Sequence, residues 1–202
     1  MSDAARAELR RRYASGELAA GVALLEELGR AGELRPGAVA LAAHLGEPAA
    51  ATLRPGAAGP GSFEAWVNGL EAHGLEAWSR VGLAALRSLL PLWSHPERGP
   101  GDRRLAREVE LLEAYVHDPS PVTAGAVGCT PSEASDLALL GGEAVDVWRA
   151  LGSLVRSGRF EPLREALDRA SLRRGEGRVR EAVQREVCAW LLPDPAWSHR
   201  GG

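Results

Sequence analysis

The sequence predicts an all-α fold, either a single-domain helical bundle or a short α-solenoid of about ten short helices. Three observations carry this expectation. Apolar residues recur at three-to-four spacing along most of the chain, the period of a helix with one buried face. Strand signals are nearly absent: aromatic residues make up 5%, and no stretch alternates apolar and polar side chains for long. Proline and glycine gather between the periodic runs, where they mark turns. At 202 residues the chain is long enough to bury a substantial core. Its 45% hydrophobic and 25% charged composition argues against wholesale disorder.

The elements follow in order. Ser2 is placed to cap a charged first helix over 3–14. The run Leu18 to Leu28 puts Leu18, Val22, Leu25 and Leu28 on one face, and Gly29 and Gly32 weaken its end. Pro36, in a first turn, opens a short helix through Val39, Leu41 and Leu45, closed by Gly46. Pro48 starts another, ending near Leu53. Five of the eight residues 54–61 are Pro or Gly, so this is a loop, and the one candidate boundary inside an otherwise single domain over 1–192. Ser62 starts a helix that runs to His73 and Gly74.

Residues 75–92 form the most apolar helix. Its polar positions Glu76, Arg80 and Arg87 share one narrow stripe with Ala84. A helix with so thin a polar face must be covered on most sides, which places it at the centre. After a Pro/Gly loop, Asp102 begins an amphipathic helix carrying Leu105, Val109, Leu112 and Val116, stopped by Asp118-Pro119. Pro121 to Gly128 reads as a small-residue helix or loop. Thr130-Pro131-Ser132-Glu133 is a capping box, and its helix ends at Gly141-Gly142. Three further helices are expected near 143–157, 160–174 and 178–192, then a loose C-terminal tail over 193–202.

Composition narrows the chemistry. The net charge of −3 argues against a generic nucleic-acid binder. All 24 basic residues are Arg, with no Lys and no Ile, the skew of a GC-rich genome. No window approaches about 18 uninterrupted apolar residues, so no membrane-spanning helix is expected. Met1 to Tyr13 is charged and lacks a signal-peptide core, so a cytoplasmic location is expected. Cys129 and Cys188 are too few and too distant for a disulfide framework or a Cys-based zinc site, and read as buried thiols.

The five histidines, His44, His73, His95, His117 and His199, show no one-helix metal spacing. His44 reads as a half-buried packing residue. His73 and His117 fall at helix C-termini, where a protonated imidazole would interact with the dipole. No nucleophile elbow and no Walker-type phosphate loop is present. The expectation is a chain with no catalytic residue, no metal and no cofactor.

Charge layout and tryptophan carry the remaining signal. Residues 108–148 hold eight acids and no Arg, between flanks of net +1 and +4. Either this stretch is neutralised within the chain, beside Arg164, Arg169, Arg173 or Arg180, or it forms an acidic face that docks a basic partner. Under the second reading the candidate partner-binding residues are Glu110, Glu113, Glu133, Asp136 and Asp146. Of the six tryptophans, Trp66, Trp78, Trp93, Trp148 and Trp190 sit on or at the end of expected helices and suit a core. Trp197, in the Pro-rich tail, is explained least by packing and joins the candidate partner-binding residues.

Three segments carry a family resemblance. They are Gly32-Glu33-Leu34 with Val39 to Ala50, then Trp66-Val67 and Gly69-Leu70 with the Leu/Ala helix into Leu90-Pro91-Leu92-Trp93, then Asp102-Arg103-Arg104 with Glu108, Glu110 and Tyr115. Together they resemble an uncharacterised all-helical family of GC-rich bacteria. The middle portion is similar to immunity proteins of polymorphic toxin systems, in which an apolar helix ending in Leu-Pro precedes an Asp-Arg-Pro loop and an amphipathic helix. Arg104 stands where that family tends to have Pro. The resemblance spans roughly residues 30–118 and rests on helix starts and packing positions. It implies an all-helical fold and supports fold more than function; the expected role is a non-catalytic cytosolic protein-binding module, an immunity-type inhibitor of a toxin, with a helical scaffold or regulatory interaction protein with an unrelated partner as the alternative and an enzyme of unknown type third. The resemblance implies no catalytic residue.

Overall fold

The computed structural model describes residues 1–59, 61–94, 99, 103–128 and 142–192. The fold is all-α with about ten helices, and no strand occurs among the described residues. The helices are α1 (Asp3–Ala14), α2 (Leu18–Arg30), α3 (Ala38–His44), α4 (Pro48–Leu53), α5 (Phe63–Gly69), α6 (Gly74–Leu89), α7 (Arg104–His117), α8 (Pro121–Gly128), α9 (Glu143–Ser157), α10 (Glu161–Arg174) and α11 (Glu176–Leu191). Short 3-10 turns cover Pro55–Ala57, Leu70–His73 and Leu90–Leu92. The Thr130–Glu133 capping box, Cys129, His95, His199 and the tail lie outside the described residues.

Local chemistry sets several helix ends. Ser2 Oγ accepts the Ala5 N–H at 3.3 Å and Ser62 Oγ accepts the Ala65 N–H at 3.3 Å, each satisfying a donor that the first turn leaves open. One expected start is displaced. Pro36 does not open α3; Arg35-Pro36-Gly37-Ala38 is a β-turn closed by the Ala38 N–H on the Arg35 carbonyl at 3.1 Å. Gly37 has φ +77° and ψ −4°, the third-position geometry of a type II turn, which Pro-Gly favours. The helix begins only after it. The amphipathic helix is described from Arg104; its expected start, Asp102, lies outside the described residues.

The chain divides into two compact units. The first comprises Met1–His73 and the chain from Arg180 on; the second is Gly74–Val179, so the division passes through α11. The Pro/Gly loop at 54–61 lies inside the first unit.

In the first unit α1 packs on α2, α2 on α4 and α3 on α4. The buried face of α2 differs from the expected one. Leu18 is 41% exposed and Val22 half-buried, while Gly21, Leu24, Leu25 and Leu28 point inward. The cause is Tyr13, fully buried, whose ring lies where a Cβ on Gly21 would be. A glycine at the centre of the face lets α1 close onto α2, and a hydrophobicity pattern does not register it. The Tyr13 hydroxyl donates to buried Glu47, whose second oxygen accepts the Ala50 N–H at 2.6 Å and caps α4.

The second unit is built on α6. Helices α7, α9 and α10 all pack against it, and α9 also meets α8 and α10. Ala77, Trp78, Val81, Leu83, Ala85, Leu86 and Leu89 are buried, as the thin polar stripe requires. Ala84, grouped with that stripe in the sequence, is fully buried instead. The stripe itself faces a neighbour. Arg80 donates to the Val116 carbonyl at 3.0 Å, in the last turn of α7, where backbone acceptors lack helical partners. Arg87 pairs with Glu113 of α7 at 2.7 Å. On α7 the positions Leu105, Val109, Leu112 and Val116 are all buried, as their spacing predicts. A Cβ on Gly82 would meet Leu163 at 2.9 Å and Leu151 at 3.0 Å, so this glycine lets α9 and α10 approach α6 closely.

Candidate functional site

The acidic candidates were singled out as one group, and the structure gives them different surroundings. Glu110 is exposed on the outer side of α7 and has no ion-pair partner among the described residues. Glu113 is tied to Arg87, and Asp146 to Arg169 at 3.2 Å and Arg149 at 3.6 Å. Those two carboxylates brace helix pairs within the second unit. Glu133, Asp136 and Trp197 lie outside the described residues. Of the arginines expected opposite the acidic stretch, Arg169 takes that part, while Arg87, earlier in the chain, takes the other.

A second cluster, in the first unit, joins α3 to α5. The His44 Nε2–H donates to the Trp66 carbonyl at 2.8 Å, and the Trp66 Nε1–H donates to the His44 carbonyl at 3.2 Å. A carbonyl oxygen only accepts, which fixes the His44 tautomer with its proton on Nε2. The two rings lie 7° from parallel with centroids 6.3 Å apart, and His73 sits 5.4 Å from His44. Gly59 and Gly69 are the close approaches that allow this: a Cβ on either would collide with His44. The Arg180 guanidinium lies over Trp66 at 5.3 Å and Phe63 at 5.8 Å, and donates to the Gly61 carbonyl at 2.9 Å.

Burial is the first cause that lowers the pKa of both His44 and His73; Arg180 lowers His44 further, and His44 lowers His73. Burial thus disfavours the charged form of His73, against the expected role of a protonated imidazole on a helix dipole. His44 is 6% exposed, more deeply buried than expected.

A pH dependence follows. The two folded imidazoles titrate below their ordinary value of 6.5, so as pH falls through that value the unfolded chain takes up protons first and stability drops. The urea midpoint should be lower at about pH 5.5 than at about pH 7.5. His44→Gln with His73→Gln should flatten that difference; an undiminished slope in the double variant would remove these histidines as its source. Glu8 and Glu17, held below 4.5 by their hydrogen bonds to Arg11 and Arg12, act at lower pH.

Cys188 is buried at 3% exposure, and burial, with Glu47 nearby, pushes its thiol far up from the usual range. It is a core thiol with no thiolate character. No group of three metal-ligating side chains occurs among the described residues.

The first unit also carries a cleft of about 570 Å³. One wall is Arg35, Gly37 and Ala38, and the other Leu53, Arg54 and Gly56. No carboxylate is among the described residues that line it. The Arg35 guanidinium rests on the Trp190 ring, 4.9 Å from its centroid. Arg54 is exposed and has no ion-pair partner among the described residues. Sequence reasoning singled out neither arginine, because only the fold brings them to one cleft.

Comparison with protein-family models, with curated proteins and with solved structures finds no match for this chain. No helix among the described residues is long and apolar enough to cross a membrane.

Proposed function

We propose that this chain is a non-catalytic, cytoplasmic protein-binding module, an immunity-type inhibitor that covers a basic surface of a toxin. One observation carries the reading: the buried side chains Glu27, Glu47, His44, Ser79 and Ser171 each have a partner inside the chain. Glu27 pairs with Arg30 at 2.7 Å, Glu47 with the Tyr13 hydroxyl, and His44 with the Trp66 carbonyl. Ser79 and Ser171 donate to the Leu75 and Asp168 carbonyls at 3.0 and 2.7 Å. A general base or nucleophile needs a lone pair aimed at a substrate; these groups hold the fold. The buried free thiol suits a reducing compartment. The resemblance over residues 30–118 takes in α7, whose inner face is buried and whose outer side presents Glu110. An exposed carboxylate of this kind steers encounter with a positive surface.

The test starts from affinity capture in the native host and reconstitution with the purified partner. Glu110→Arg should leave the circular dichroism and denaturant midpoint unchanged and slow association about tenfold at low ionic strength, with the gap closing as salt rises. Association insensitive to Glu110→Arg at every salt concentration would remove α7 as the docking face. A partner whose expression does not arrest growth would overturn the immunity reading and favour a scaffold.

A further inference from the structure

We propose that a small pocket in the second unit, lined by Glu143 and Arg173, binds a free α-amino acid with an apolar side chain. Its place follows from helix direction. A short turn with Gly158 at φ +67° joins α9 to α10, so the two helices pack antiparallel and the last turn of α10 comes beside the first turn of α9. The Asp146–Arg169 ion pair at 3.2 Å sets their register. One helical turn further out, Glu143 precedes Asp146 and Arg173 follows Arg169, so this register makes them the next opposed charges.

This second pair does not close. Neither side chain makes an ion pair or a hydrogen bond among the described residues, and both line a pocket of about 160 Å³. Apolar groups share the lining. Leu89, buried at the end of α6, is one; Leu92, 51% exposed, and Trp93 come from the 3-10 turn that follows, where the Trp93 N–H donates to the Leu90 carbonyl at 3.1 Å. Chemistry then selects the ligand. A guanidinium offers paired donors to a carboxylate, and a carboxylate accepts from an ammonium. One small molecule carrying both charges answers both side chains: its α-carboxylate meets Arg173, its ammonium meets Glu143, and its side chain covers Leu89, Leu92 and Trp93. A singly charged ligand leaves one of the two unmatched. The volume of about 160 Å³ equals about five water volumes of ~30 Å³, too little for a nucleotide and enough for a single amino acid.

The experiment is isothermal titration of the full chain with L-leucine, leucinamide, N-acetyl-L-leucine and glycine. Wild type should bind L-leucine saturably. Leucinamide lacks the carboxylate, the acetyl derivative lacks the ammonium, and glycine lacks the apolar side chain, so each should bind about tenfold or more weakly. Arg173→Gln and Glu143→Gln should each weaken L-leucine binding about tenfold or more, as loss of a charge-assisted partner implies. Arg173→Gln should narrow the gap between L-leucine and leucinamide, and Glu143→Gln the gap between L-leucine and its acetyl derivative. Leu92→Ser should weaken L-leucine more than glycine. Arg107→Gln, an equal change of charge outside the pocket lining, should leave binding unaltered.

Both charge variants should keep the wild-type denaturant midpoint, since neither side chain holds a partner within the chain. Absence of saturation with L-leucine, glycine binding as tightly as L-leucine, or equal weakening by Arg107→Gln would overturn the proposal. So would equal losses of stability in Arg173→Gln and Glu143→Gln without L-leucine binding, the result expected of two residues that only pair with each other. Glu110→Arg should leave L-leucine binding intact, so failure here and failure of the partner reading are separate results.

Discussion

Trp66→Ala is expected to lower stability by about 3–5 kcal/mol, the range for truncating a buried aromatic side chain. Trp66 is 1% exposed and holds three neighbours at once. Its ring packs on Phe63 at 5.5 Å and lies under the Arg180 guanidinium, and its Nε1–H satisfies the His44 carbonyl at 3.2 Å. Alanine removes the ring, opens a cavity that Gly59 and Gly69 cannot fill, and leaves a buried carbonyl without its donor. Trp66→Phe keeps most of the apolar volume and loses the donor, so its effect should be clearly smaller. Urea denaturation of the three proteins separates the cases. A Trp66→Ala midpoint equal to that of wild type would mean that the α3–α5 cluster contributes nothing to the first unit.

What the sequence revealed and what it hid divide along a physical line. Leu105, Val109, Leu112 and Val116 were legible because each contributes its own bulk at the helical period, and burial of α7 follows from that alone. The same logic placed α6 inside. Glycine contacts were not legible. Gly21 under Tyr13 and Gly82 beneath Leu151 and Leu163 mark the closest helix approaches, yet a residue without a side chain adds nothing to a hydrophobic pattern. Pro36-Gly37 read as a helix start because proline favours both the first helical position and the second position of a turn, and the positive φ of Gly37 decided between them.

Charge was legible as composition and not as pairing. Eight acids without an Arg in residues 108–148 suggested one acidic face. Glu113 and Asp146 instead meet Arg87 and Arg169, contacts that depend on which helices become neighbours. The cleft arginines failed to appear for the same reason. Arg35 acquires its orientation from Trp190, which lies near the other end of the sequence and reaches it only through the fold.

For the second unit the largest expected effect is that of Leu86→Ala, about 2–5 kcal/mol for a fully buried leucine. Leu86 has 0% exposure and lies on the helix against which α7, α9 and α10 all pack. The cost has two parts: lost transfer free energy of the removed carbons, and a cavity whose size depends on how far the neighbours can relax. Relaxation is restricted here. Gly82, one turn earlier, already brings Leu151 and Leu163 close to the α6 backbone, so α9 and α10 have little room to move inward as rigid bodies. Arg87, next to Leu86, anchors α7 through Glu113 and restrains the remaining side. The cost should therefore fall in the upper half of the range. Leu75 on the same helix is the control, since it is 38% exposed and its truncation opens no enclosed space. Leu75→Ala should shift the denaturant midpoint only slightly. Equal shifts for Leu75→Ala and Leu86→Ala would show that α6 is not the core element its thin polar stripe implies.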